Sequence, residues 1–467
     1  MAEGCWGKGL EVSTRVAGWK LGRAFVGVIA GLLIVSHASA QESAVRYIDY
    51  PQTRGSQYEF RTDLIPKWAT LDFQLRGRTE YQSSVNYISG NGQTYELTRV
   101  YGGLQVRPTK FLTGYAQFID THAPGMPSQY VAANQRDVFD LRQAYLEFHM
   151  EKVKVFAGRQ ELKYGGERLV GISDWTNNSR TWDGFVGRIG DANRLDVFST
   201  SVVTVRASAP DKHGAGLTFH GAVGTIGSWI PHTVVQPFVY FKSFPGVTSQ
   251  QGIKGSDLFV TPGAEVAMQL PIGLDFDALG ALQRGNYSND SVRAAAGYVK
   301  AGWNFSKVTW KPRFRGEYDY ASGNNRQDLN RIGTFDQQYP SNHNAFGLTD
   351  LFGFQNIKQE RMNLDLIPTP KLSLLFQQEW LQMSTAFDNI YSSSAGTVVK
   401  APTTGLLSTD IGREFDASGK YLLSDSLVMN VGVGHFSPGT VMRENAHGAP
   451  LTLAYFSLTY RFKVDHK

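Results

Sequence analysis

Cysteine is all but missing from this chain of 467 residues: the single one is Cys5. Disulfide frameworks, cysteine zinc sites and thiol catalysis are thereby excluded. Long apolar runs are equally scarce. The only one, Ala24 to Val35, follows Lys20 and Arg23 and ends at Ala38-Ser39-Ala40. It is too short to cross a bilayer as a helix, and its basic start, apolar middle and small-x-small end read as a secretory signal peptide, residues 1–40, cut before Gln41. Cys5 leaves with it. An excess of one charge is lacking too, because the cleaved chain keeps 42 bases against 39 acids, a net of +3. That is no nucleic-acid footprint, so partners must be read from where charges sit. Enzyme signatures are absent: no phosphate loop, no His-Glu-x-x-His and no Gly-x-Ser-x-Gly elbow. His149, His220 and His435 fall near expected strand ends with no nucleophile paired to them in sequence. Asp410, Glu414 and Asp416 cluster but match no defined calcium loop, so neither a metal nor a cofactor is expected.

What the sequence does have is 49 glycines, 12% aromatics and a strict period of two. From Leu71 to Gln82 the odd positions are Leu, Phe, Leu, Gly, Thr and Tyr, and the even ones Asp72, Gln74, Arg76, Arg78, Glu80 and Gln82. Pro312 to Tyr320 repeats this, with Arg313, Arg315, Glu317 and Asp319 on one face. Segments 274–283 and 371–377 alternate likewise. Such dyads fit a soluble sandwich or a membrane barrel with lipid outside and water inside. Three features favour the barrel. No linker or composition shift divides the more than 400 residues into domains. Apolar faces end in Trp68, Tyr81, Tyr318, Tyr320 and Trp380, as interfacial girdles require. The last segment, Ala454 to Phe462, is an aromatic-ended alternation, though Lys463 to Lys467 follow it. The expected fold is all-β: one antiparallel, up-and-down transmembrane barrel over 68–467, after a periplasmic segment 41–67. At about 10 residues per spanning strand it has roughly 16 to 18 strands. Residues 214–230 and 292–305, with small residues on both faces, set no clear boundaries. The irregular stretch 322–358 is expected to be an extracellular loop that enters or covers the pore.

The most informative run is Gly158-Arg159-Gln160-Glu161-Leu162-Lys163-Tyr164-Gly165-Gly166-Glu167-Arg168-Leu169-Val170-Gly171, followed by Asp174-Trp175-Thr176-Asn177-Asn178-Ser179-Arg180-Thr181-Trp182-Asp183-Gly184. On a strand Arg159, Glu161 and Lys163 would share the inner face. A second run is Gly333-Thr334-Phe335-Asp336-Gln337-Gln338-Tyr339-Pro340-Ser341-Asn342-His343, continuing through Gly347 to Asp350-Leu351-Phe352-Gly353-Phe354-Gln355-Asn356. With Leu141 to Phe148, these motifs resemble the alginate-export family of outer-membrane barrels, and the similarity runs from about Leu71 to Asp416. The resemblance implies a monomeric barrel, of 18 strands in the best-known member, whose electropositive constriction passes the polyuronate alginate.

A pore for a polyuronate needs several guanidinium donors that accept carboxylates without holding any tightly. Candidates on polar strand faces or within the motifs are Arg76, Arg78, Arg159, Arg168, Arg180, Arg313, Arg315 and Arg461, with Glu80, Glu147, Glu161 and Asp183 as acidic neighbours. The same residues fit a bland role. Arg78 with Glu80, Arg159 with Glu161 and Arg315 with Glu317 can pair and simply stiffen the wall. Three functions compete: a passive pore for alginate or a related anionic polysaccharide, a general or small-anion porin, and a barrel enzyme with a rim Ser–His pair. The expected partners are outer-membrane lipid, the barrel-insertion machinery, an anionic saccharide and periplasmic export components.

Overall fold

In the computed structural model, residues 58–467 are described apart from 215, 326 and 327; the expected signal peptide lies outside the described residues. Eighteen long strands follow one another. They are β1 (Ala69–Gln82), β2 (Gln93–Thr109), β3 (Leu112–His122), β4 (Asp137–Met150), β5 (Val153–Gln160), β6 (Trp182–Gly190), β7 (Asn193–Val202), β8 (Thr218–Ile226) and β9 (Thr233–Thr248). Then come β10 (Lys254–Gln269), β11 (Leu274–Tyr287), β12 (Asp290–Asn304), β13 (Arg313–Ala321), β14 (Ile357–Thr369), β15 (Leu372–Met383), β16 (Asp410–Leu422), β17 (Leu427–Pro438) and β18 (Leu451–His466). Each pairs antiparallel with the next, and β1 pairs with β18 from Leu71 opposite Val464 to Gln82 opposite Leu453. The sheet therefore closes on itself. Closure is the physical requirement of a bilayer, where an unpaired strand edge has no water to bond.

The alternation read in β1 has the expected sense. Gln74, Arg76, Arg78 and Glu80 are buried inside, whereas Leu75 and Tyr81 are exposed outside. Exposed Tyr81, Tyr318, Tyr320 and Trp380 sit near the ends that carry long loops, and Trp68, Trp303 and Trp310 near the ends joined by short turns. By the usual asymmetry of such barrels the turns and the described chain ends face the periplasm and the loops face outward. The final strand does not stop at Phe462. It overhangs β17, whose pairing starts at Leu427 opposite Tyr460, and a short strand, Tyr58–Thr62, pairs parallel to Phe462–His466 along that overhang.

Two loops from the outer end turn into the barrel: 161–181 after β5 and 322–356 after β13. Their apolar residues Leu169, Val170, Phe335 and Phe346 join one buried cluster with Phe198, Phe219, Val223, Ala294 and Ala296 of the wall. This explains why the β8 and β12 regions read poorly. Their inner faces meet an apolar loop instead of water, so both faces are small or apolar. The expected inner ladder Arg159-Glu161-Lys163 is corrected here. Arg159 and its partner Asp183 share the parity of exposed Val153, Val155 and Phe185 and so face outward, and strand β5 ends at Gln160, which leaves Glu161 and Lys163 in the infolded loop.

Entry to that loop depends on two facing glycines. Gly158 of β5 pairs with Gly184 of β6, at φ +128° and +153°. A Cβ would lie 2.2 Å from the Ala144 carbonyl oxygen at Gly158 and 2.2 Å from that of Ser199 at Gly184. Gly158→Ala is expected to destabilise the refolded barrel by about 1–3 kcal/mol or more through backbone strain. Urea titration followed by the gel shift between folded and heated protein measures it, against Gly280→Ala in β11, where the added methyl meets nothing within 4 Å.

Candidate functional site in the barrel lumen

The barrel wall is rich in ion pairs, and they run across strands. Neighbours two apart on one strand are about 6.6 Å apart along the chain, whereas paired residues on adjacent strands lie within about 5.5 Å. Arg315 grips Asp365 of neighbouring β14 at 2.9 and 3.0 Å, and Arg313 reaches past Gly302 of β12 to grip Asp275 of β11 with two hydrogen bonds of 2.8 and 2.5 Å. Arg159 takes Asp183 at 2.8 and 3.3 Å. The pairs Arg159–Glu161 and Arg315–Glu317 expected along single strands are therefore replaced. Glu161 instead accepts from Arg142 at 2.5 Å, with Lys163 at 3.3 Å, and Glu317 pairs with Arg168 and Arg361. Glu147 meets Lys154 at 3.4 Å and His149 at 3.8 Å, not an arginine. Of the three arginine–glutamate pairs expected along single strands, Arg78 with Glu80 forms, at 2.6 Å.

Other charged groups tether the infolded loops. Glu265 of β10 accepts the Gly166 amide at 2.8 Å. Glu414 of β16 accepts the Thr349 amide at 2.9 Å and its hydroxyl, and Asp416 accepts the Leu348 amide at 3.1 Å. The acids that clustered in sequence thus hold a loop, while Asp410 accepts from the Thr440 amide at 3.0 Å. Arg168, in the first loop, reaches back to Glu317 and Asp319 of β13. Arg180 makes no carboxylate pair among the described residues; it donates to the carbonyls of Gly171, Tyr339 and Pro340, joining the two loops. Burial lowers its pKa to about 10, which leaves it charged at neutral pH.

Four arginines are arranged differently. Arg76 and Arg78 on β1, Arg99 on β2 and Arg461 on β18 converge on the first loop at Asp174 and Trp175. Arg99 meets the Asp174 carboxylate at 3.0 Å and Arg461 at 3.8 Å. Arg76 has no carboxylate partner among the described residues and donates to the carbonyls of Asp174 at 3.0 Å and Thr176 at 2.9 Å. Burial works to raise the Asp174 carboxyl, but Arg99, Arg76 and Arg461 hold it well below the usual range. These side chains line a recess of about 90 Å³ with Ser457, Thr459 and Asn430. A second recess, of about 160 Å³, lies toward the loop end and is lined by Arg78, Glu80, Gln82 and Asp350 among others. At the turn end a wider cavity of about 510 Å³ is flanked by Lys311, Arg313, Asp275 and Asp365.

Arg99, Arg142, Asp174, Trp175 and His343 were not singled out as site residues from sequence. Arg99 had an available signal, since Tyr95, Leu97, Arg99 and Tyr101 alternate inward, but two of its neighbours on that face are apolar. Two histidines do meet hydroxyls among the described residues, and His435 Nδ1 lies 2.8 Å from Thr452 Oγ1. His220 Nδ1 lies 2.9 Å from Ser199 Oγ on the outer face of β7 and β8, with no third group orienting the ring among the described residues. Asp137, Asp140 and Asp211 gather with carboxylate oxygens within 4.8 Å of one another, and Asp137 is tied to the first loop by Asn178 at 3.0 Å.

Comparison with known proteins gives two findings. The profile of the family described as alginate export matches residues 67–451. Among solved structures, *Pseudomonas aeruginosa* OccK11 (OpdR) superposes with a TM-score of 0.56 at 12% identity, over 88% of this chain and 99% of that one. OpdK of the same organism gives 0.55 at 12%, over 85% and 98%, and *Acinetobacter baumannii* OccAB2 gives 0.55 at 10%, over 85% and 100%. At such identity the likeness is one of fold. No curated protein matches the sequence.

Two outcomes follow for the loops. Arg168→Ala strands Glu317 and Asp319 beside a single guanidinium, and is expected to cost about 3–5 kcal/mol in the unfolding of detergent-refolded protein, whereas Arg413→Ala, exposed on the outer face, costs under about 0.5 kcal/mol. Burial first, then Glu80, raises the Asp350 carboxyl to about 7, against the lowering effect of Arg78. A carboxyl raised in the folded state favours folding below its unfolded value near 4 and loses that contribution as pH climbs toward 7. The packed loops should therefore loosen between pH 4 and 7, seen as faster proteolysis of 322–356, and Asp350→Asn should make that dependence shallower.

Proposed function

This chain belongs to the alginate-export family and is a pore of the bacterial outer membrane, not an enzyme; from that premise we propose that it passes alginate or a related anionic saccharide along the β1–β2–β18 wall. The observation that carries the reading is the convergence of Arg76, Arg78, Arg99 and Arg461 on a recess whose lining acid is Asp174, with Glu80 paired to Arg78 beside it. Elsewhere most lumen arginines are paired with carboxylates, Arg188, Arg313 and Arg315 bidentately, and their fields largely cancel. Here four guanidiniums face two acids. In a narrow bore with low-dielectric walls that surplus focuses a positive potential and concentrates anions. The donors are weakly held as well. Arg76 spends its hydrogen bonds on neutral carbonyls, which a solute carboxylate outcompetes because it adds the attraction of opposite charges to the hydrogen bond.

The size of the recesses favours a second reading, a pore for small organic anions. At about 90 and 160 Å³ they fall below the roughly 300–1,000 Å³ of ordinary ligand sites, so a polymer requires the infolded loops to shift. In either case flux is passive, and a polymer is delivered by periplasmic export components. The protein works as a monomer, inserted by the barrel-assembly machinery.

Planar-bilayer recording tests the reading. Purified barrel is expected to prefer anions in a salt gradient and to be blocked by oligouronates. Arg76→Gln with Arg461→Gln should lower the anion-to-cation permeability ratio severalfold, by removing two of the four guanidiniums and with them the surplus of two charges. Block by neutral oligosaccharides alone would overturn it.

A further inference from the structure

We infer that Trp175, clamped between Arg78 and His343, sets the size cut-off of this pore; the inference rests on the anion-pore reading and identifies the residue that decides which solutes pass. Along β1 the inward side chains run Gln74, Arg76, Arg78, Glu80, Gln82, so the path from Arg76 to Gln82 climbs about 20 Å at roughly 3.3 Å per residue. The recess toward the periplasm includes Arg76 and Arg461, and the one toward the loops includes Glu80 and Gln82. Both are lined by Arg78 and Trp175. The two recesses are successive stations of one route, and the indole stands between them.

The way Trp175 is held suits a gate. The Arg78 guanidinium carbon lies 3.8 Å from the indole centre, and Arg78 also donates to the Trp175 carbonyl at 2.7 Å. The His343 ring is stacked on it at 3.7 Å, inclined by 5°, and Tyr455 meets it edge-on at 4.9 Å. Trp175 belongs to the first infolded loop and His343 to the second, so the stack exists only while both loops are in the barrel. His343 is buried, and neither ring nitrogen has a hydrogen-bond partner among the described residues. Its contribution is the flat apolar face it offers to the indole. Burial, then the neighbouring Arg78, holds its pKa well below the usual value, so it stays neutral and does not repel that guanidinium.

Arg78 links the gate to the solute. Its guanidinium serves Glu80, the Trp175 carbonyl and the indole face at once. A carboxylate arriving from the Arg76–Arg461 recess competes for those same donors, and each one it takes loosens the indole. An anion thereby weakens the barrier ahead of it, whereas a neutral sugar of equal size has no such purchase.

The test uses the full-length barrel in planar bilayers, with folding verified by the shift in gel mobility on heating. Trp175→Ala is expected to raise single-channel conductance by about twofold or more, since the narrowest point limits flux, and to admit longer oligouronates while keeping the anion preference. Trp175→Phe should stay near wild type. His343→Ala, which frees one indole face, should give an intermediate and noisier current. A folded Trp175→Ala barrel with wild-type conductance and the wild-type length cut-off would overturn the gate and leave the pore reading standing. No conductance from either wild type or Trp175→Ala would overturn both.

Discussion

A bore occupied by two peptide loops poses a hydrogen-bonding problem at every residue. Backbone amides and carbonyls carried to membrane depth must find partners, because a buried group left unmade costs more than a made bond returns. The wall supplies those partners as side chains. Glu265 takes the Gly166 amide, Glu414 and Asp416 take Thr349 and Leu348, and within the loops themselves Arg180 ties carbonyls of one to the other. Carboxylates and guanidiniums that look in sequence like a channel lining are in large part the scaffold that suspends the constriction.

That constraint sorts the charges. Acids of β10 and β13 to β16 are committed to loops or to buried arginines. On the opposite wall the loop presents carbonyls at 174–176, which are acceptors, so the barrel answers them with donors: Arg76, Arg78 and Arg99. Using cations to bind neutral carbonyls leaves part of their charge uncancelled, since only Asp174 and Glu80 stand against Arg76, Arg78, Arg99 and Arg461. The surplus that attracts anions is thus a consequence of how the first loop is held.

Much of the fold was legible in sequence because lipid and water impose a simple rule on strands such as β1, β13 and β18. The same rule failed at β8 and β12, where Phe219, Val223, Ala294 and Ala296 face an infolded loop and the polar half of the alternation disappears. The two motifs that carried the family resemblance are those same infolded loops; entry into the pore or a cover over it was expected of 322–358, whereas the first motif read as a strand with a charged inner face. Their tethers join residues about a hundred positions apart, as with Glu265 and Gly166. Ion-pair partners were misread for a geometric reason: sequence displays neighbours along a strand, and the closer carboxylate sits on the next strand. Trp175 and His343 lie inside the quoted motifs, and only their contact marks them.

The central claim is that the uncancelled positive charge of the barrel wall gathers along β1, β2 and β18. Anomalous diffraction from crystals soaked in bromide locates it most directly. Bromide should occupy the recess between Arg76 and Arg461 and be absent from the bidentate pairs Arg313–Asp275 and Arg315–Asp365. Bromide at those pairs, with none beside Arg76, would contradict the account.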